Sequence, residues 1–203
     1  MGRNDPTQDE IEAKYICCKY LGYDEKTLFV NDSPDLQDSI NNIGIEVRNV
    51  MDKIDGKNNA FVQSNYNSQK SIEEKNSALK KMNVDSINLD LGFMHIFCDG
   101  RLRDIKVFYE HQVIEFVNAY EEKLRKLNSG NYKMFKQNNL FLFCDNFNKE
   151  QIDEALKNLS QNLKAGKYYN FPNKFSFIYA YAFKNIYVID SCFKIISECD
   201  HTK

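Results

Sequence analysis

Leu140-Phe141-Leu142-Phe143-Cys144 is an unbroken apolar run, and no other stretch constrains the fold as strongly. Consecutive apolar residues leave a strand no polar side to turn to water, so the run belongs in the middle of a sheet covered on both faces. A helical pattern follows at once. Asn148 is placed to cap it, Ile152, Leu156, Leu159 and Leu163 form its stripe, and Gly166 lies just past its end. A strand followed by a helix begins a crossover. Phe175 to Ala182 and Ile186 to Ile189 supply two more strands around Lys184-Asn185, with Phe193 to Ile196 as a last one. The chain therefore reads as α/β, a mixed sheet flanked by helices.

The N-terminal part carries its own signals. Thr7-Gln8-Asp9-Glu10 has the spacing of a capping box, after which Ile11, Tyr15, Cys18 and Leu21 mark one helical face up to Gly22. Thr27 to Val30 is a short β-like run, Asn31-Asp32-Ser33-Pro34 a turn, and Ile43 to Val47 an apolar strand. Residues 49 to 63 suggest a short or broken helix, and 63 to 91 are mostly polar, an insertion within one domain spanning 1 to 203. Leu91 to Cys98 is apolar enough for a strand. Val113, Phe116, Val117, Tyr120, Leu124 and Leu127 then line one face of a long amphipathic helix that stops at Asn128-Ser129-Gly130.

Composition narrows the function classes. The formal charge is -2, so the chain has no global attraction for phosphate backbones, and any nucleic-acid contact must come from a local basic patch. Six cysteines, without a CxxC pair, sit mostly in apolar runs and read as reduced core residues. The start MGRNDPTQDE lacks a signal peptide's apolar core, and no run reaches the roughly twenty apolar residues a membrane helix needs, so a cytoplasmic protein without a membrane partner is expected. His95, His111 and His201 are far apart, and there is no phosphate-cradling glycine loop or dinucleotide fingerprint.

The chemistry concentrates in two acids. Asp35 follows Pro34 at a strand entrance, and Glu46 interrupts the apolar strand Ile43-Gly44-Ile45-Glu46-Val47. Carboxylates on adjacent strands are suited to a hard cation such as Mg²⁺ or Mn²⁺. Arg48 lies two residues beyond Glu46, on the same face by the strand's period, where a cation would stabilise developing phosphoryl charge. The plain alternative for Glu46 is a strand acid facing water while Ile45 and Val47 face inward. For Asp35 it is an ordinary turn acid.

In these residues the sequence resembles the PD-(D/E)XK nuclease superfamily, the restriction-endonuclease-like fold. Pro34-Asp35 matches its PD, and Glu46-Val47-Arg48 matches its acid, spacer and basic residue, with arginine in place of the usual lysine. The resemblance covers roughly residues 7 to 48 and 105 to 145. It implies Asp35 and Glu46 as metal ligands, Glu12 on the first helix as a supporting acid, and Arg48 as the charge-stabilising group. Because lysines move between positions in this superfamily, Lys123 on the long helix is a candidate replacement.

The function implied is Mg²⁺-dependent hydrolysis of nucleic-acid phosphodiester bonds, DNA before RNA, with a homodimer where both strands are cut. A guanidinium stays protonated and cannot act as a base. The alternative is therefore a catalytically inactive nuclease-fold module that binds nucleic acid or a protein partner, for instance in phage defence. Lys123, Arg125, Lys126, Lys133 and Lys167-Tyr168-Tyr169 are candidates for backbone contact and base stacking.

Overall fold

The computed structural model describes residues 5–50, 105–145, 147–182 and 185–200. The chain forms two compact units, one of residues 1–50 and 113–203 and one of residues 51–112. The sheet and both candidate acids belong to the first unit. The helix expected within 49–63, the polar insertion at 63–91 and the strand expected at 91–98 all lie outside the described residues.

Element order is α1 (Gln8–Tyr20), β1 (Leu28–Val30), β2 (Leu36–Asp38), β3 (Ile43–Asn49), α2 (Ile105–Leu127), β4 (Gln137–Phe143), α3 (Lys149–Lys164), β5 (Phe177–Ala182), β6 (Asn185–Asp190) and β7 (Ile195–Asp200). The seven strands form one sheet in sequence order. The β1–β2–β3 and β5–β6–β7 stretches are antiparallel, whereas β3–β4 and β4–β5 are parallel. Parallel neighbours need crossovers, and the connections carrying α2 and α3 supply them. The α/β class and the flanked mixed sheet thus stand as expected.

The apolar run is the sheet's centre: Leu140, Phe141, Leu142 and Phe143 are all buried between β3 and β5. On one face Ala13, Ile16 and Cys17 of α1 pack against Ile45, Val47, Phe141, Phe143 and Tyr179. A second set of aromatic contacts involves α2. Phe116 meets Phe147, just ahead of α3, with ring centroids 6.1 Å apart, and Tyr120 sits edge-on against Tyr168, Phe175 and Phe193. Both capping boxes form, Thr7 with Glu10 on α1 and Asn148 with Gln151 on α3.

Some details differ from the sequence expectation. Of the stripe Ile11, Tyr15, Cys18 and Leu21, Cys18 and Leu21 pack against the core half-buried, but Ile11 and Tyr15 are exposed and the buried contact set is Ala13, Ile16 and Cys17. Helix α1 carries two apolar stripes, and the smaller side chains let it approach the sheet. The strand that Asp35 is expected to enter is β2, only three residues long, and β7 starts two residues later than expected. Cysteines 17 and 144 are buried and all five described ones are free, but Cys192 is exposed in the β6–β7 turn.

Candidate active site

Asp35 and Glu46 converge. The β2–β3 pairing sets Leu36 opposite Ile45, so one further step in register puts Asp35 across from Glu46. Asp35 Oδ2 accepts the Val47 backbone N–H at 2.7 Å, which ties the carboxylate to β3. The turn ahead of it is held by Gln37, whose Nε2 donates to the Asp32 and Pro34 carbonyls, while Lys133 donates to Gln37 Oε1. Gly44 completes the seat. A Cβ there would lie 2.6 Å from Pro34 Cγ and 2.8 Å from a Phe135 ring carbon, so only glycine lets the Pro34 ring settle against β3.

Glu46 is fully buried, not solvent-facing, because its face of β3 is covered by the last turns of α2. An acid there must be paired. Lys123 Nζ lies 2.6 Å from Glu46 Oε2 and 3.4 Å from Asp35 Oδ2. Lys126, one turn on, donates to Glu46 Oε1 and Oε2 at 3.0 and 2.9 Å and stands 3.9 Å from Asp35 Oδ1. Two carboxylates therefore face two ammonium groups. Burial works against the charge on Lys126, but its hydrogen bond to Glu46 and the charges of Glu46, Asp35 and Asp32 outweigh that and raise its pKa above the ordinary lysine value. Tyr132 completes the surroundings. Its hydroxyl is buried and meets no partner at hydrogen-bond geometry among the described residues. Burial first, then the Glu46 and Asp35 charges and a contact to Glu46 short of bond geometry, push its pKa far up.

The helix end that delivers the lysines is itself fixed. Tyr120, Leu124 and Leu127 bury the face that Lys123 shares. Beyond Leu127, Asn128 donates to the Leu124 and Asn173 carbonyls and accepts from the Asn173 N–H. Ammonium groups in the last turns of a helix are also favoured by its dipole.

The other candidates stand apart. Arg48 shares the Glu46 face but sits one residue pair, roughly 7 Å, further along β3, where its guanidinium donates to Glu122 Oε2 at 3.1 Å. Lys123 occupies the place that the spacing assigned to Arg48. Glu12 is exposed on α1, across the sheet from Glu46, and its charge acts on Tyr181. Tyr168 is buried and donates to Glu121, which also pairs with the exposed Lys167, and of the two tyrosines Tyr169 is the exposed one. The histidine side chains lie outside the described residues.

Lys126 and Tyr132 were not tied to the acids by sequence reasoning. For Lys126 a signal existed, because it lies three residues from Lys123 and so on the same helical face. Tyr132 had none, since it follows the helix in an irregular segment.

The donor set suits a hard divalent cation, because Mg²⁺ is commonly held by one or two carboxylates with water and phosphate oxygens completing its shell. No third His, Cys, Asp or Glu joins the pair among the described residues. No family model, curated protein or solved structure matches this chain.

Proposed function

We propose that the chain is a restriction-endonuclease-like, Mg²⁺-dependent nuclease that hydrolyses nucleic-acid phosphodiester bonds, with DNA as its first substrate. The observation that carries this reading is the convergence of Asp35, Glu46 and Lys123 from β2, β3 and α2. An acid, an acid and a lysine at one point is the constellation that the PD-(D/E)XK resemblance calls for. The order helix, three antiparallel strands, helix, parallel strand adds support.

Asp35 and Glu46 would hold the ion, and when bound it supplies Lewis acidity toward a phosphoryl oxygen and lowers the pKa of water. The Val47 N–H keeps the Asp35 carboxylate oriented. Lys123, enclosed at 11% side-chain exposure, donates to the attacking water or to the phosphoryl oxygens as charge develops. Arg48 and Glu12 take no part, which departs from the roles that the motif's spacing suggests.

A second reading has its own observation. The two acids are already neutralised by Lys123 and Lys126, as expected of an inactive module whose acids have become a structural ion-pair cluster. Incubation with linear, circular and single-stranded DNA and with RNA, in Mg²⁺ or Mn²⁺ and in chelator, separates the two. Cation-dependent cleavage that disappears in the Asp35→Ala, Glu46→Ala double variant supports the nuclease. Cleavage equal in both proteins removes this site as its source.

A further inference from the structure

Lys123 and Lys126 grip the same carboxylate but are not equivalent. Lys123 is boxed in by Glu46 and Asp35 with 11% of its side chain exposed, whereas Lys126 keeps 36% exposed and spans both Glu46 oxygens from the open side. Its ammonium also faces Asp35 Oδ1 at 3.9 Å. A compact monovalent ammonium touching two oxygens of one acid and approaching one of the other lies where a divalent ion shared by both would sit.

We propose that Lys126 is a displaceable counter-ion: its ammonium fills the cation position of the Asp35–Glu46 pair and swings out when a divalent ion enters, leaving Lys123 behind as the fixed cation. The inference rests on the metal-site reading above and adds to it the identity of the group that competes with the ion.

Three features support it. A divalent ion and the Lys126 ammonium cannot both contact the same Glu46 oxygens without like-charge repulsion at close range. Lys126 has a way out, because a lysine stem is flexible and its outer side is solvated, with Asp32 near enough to act on its charge. The Tyr132 hydroxyl, buried in contact with Glu46 but short of full hydrogen-bond geometry, can close onto the Glu46 oxygen that a departing ammonium frees.

The test is Mn²⁺ affinity, read from loss of the free-ion electron paramagnetic resonance signal, in wild type, Lys126→Met and Lys123→Met. Methionine keeps the stem's packing and removes the charge. Loss of one nearby positive charge should tighten Mn²⁺ binding in Lys126→Met by at least about fivefold. Lys123→Met is the control, because it removes a charge equally close to Glu46 but not from the cation position, so its gain should be clearly smaller, and an equal or larger gain in Lys123→Met overturns the inference. Unchanged or weaker binding in Lys126→Met, with wild type binding measurably, overturns the inference while leaving the metal site standing. Absence of binding in all three proteins overturns the metal site itself and the inference with it. Should the methionine variant fail to fold, Lys126→Gln reads out the same comparison.

Discussion

Lys123 Nζ stands 2.6 Å from Oε2 of Glu46, a side chain with no exposed surface. This pair joins the C-terminal part of α2 to the middle of β3 and sets the energetic character of the site. Burying an ion pair is expensive, and removing one partner leaves the other charge stranded. Lys126 still bonds both Glu46 oxygens, so Lys123→Met should cost less than a fully stranded charge would, about 1–3 kcal/mol. The double change Lys123→Met, Glu46→Leu should cost clearly less than the sum of the single changes, because the buried carboxylate leaves together with Lys123, while the half-exposed Lys126 keeps Asp35 nearby. Urea unfolding of the four proteins in a cycle measures the coupling. Additive losses would mean that the two groups do not interact.

Arg48 gives the opposite expectation. Its bond to Glu122 joins partly exposed groups, at 33% and 52% side-chain exposure, so solvent screens most of it. Arg48→Met should shift stability by no more than about 1 kcal/mol and leave phosphodiester cleavage within a few-fold of wild type. Loss of cleavage with the fold intact would restore Arg48 to the role that its spacing from Glu46 suggests.

Asp38 ties the β2–β3 hairpin that carries both acids. Its carboxylate accepts from the Ile40 and Asn41 N–H groups, the Asn41 side chain and the Thr27 hydroxyl. Burial alone would raise its pKa, but the bonds from Thr27, Asn41 and Ile40 prevail and hold it below the ordinary 3.8. A depressed carboxyl contributes stability that is present above the unfolded value and fades as pH falls through the lower folded value. Asp38→Asn should cost about 1–3 kcal/mol at neutral pH, with the gap to wild type closing in acid below pH 3.8. A pH series of thermal melts reads this, and a constant gap would contradict it.

Gly44 offers a steric test. A methyl group would meet the Pro34 ring and the Phe135 ring at 2.6 and 2.8 Å, so one of them must move. Gly44→Ala should destabilise by about 1–3 kcal/mol, and, because Pro34 adjoins Asp35, it should lower cleavage more than a distant change of equal cost. Full activity in a destabilised protein would show that the Pro34 seat does not position Asp35.

Much of this was legible in the residues. The run at 140–144, the caps at Thr7 and Asn148 and the stripe from Val113 to Leu127 each encode an element locally, through period, capping chemistry and burial. The face that α1 buries was legible only in part, because Ile11, Tyr15, Cys18 and Leu21 have a helical spacing just as the buried set of Ala13, Ile16 and Cys17 does, and only Cys18 and Leu21 of the first set reach the core. Nor was the burial of Glu46. Alternation along β3 tells that Ile45 and Glu46 point to opposite faces, but not that a helix more than fifty residues later covers the second face. The same long-range pairing hid Lys123 behind Arg48, since sequence spacing favours the nearby cation over the one folding brings.

The most direct test compares Mg²⁺-dependent cleavage of DNA by wild type and Asp35→Asn. Asparagine retains a carbonyl oxygen for the Val47 N–H but removes the charge, so the fold should survive while the site loses half of its acid pair. Cleavage should require Mg²⁺ in wild type and fall by at least about 100-fold in Asp35→Asn, as expected for a group that holds the ion. Equal cleavage by the two proteins, or cleavage indifferent to chelator, would contradict the assignment of Asp35 and Glu46 as the pair that grips it.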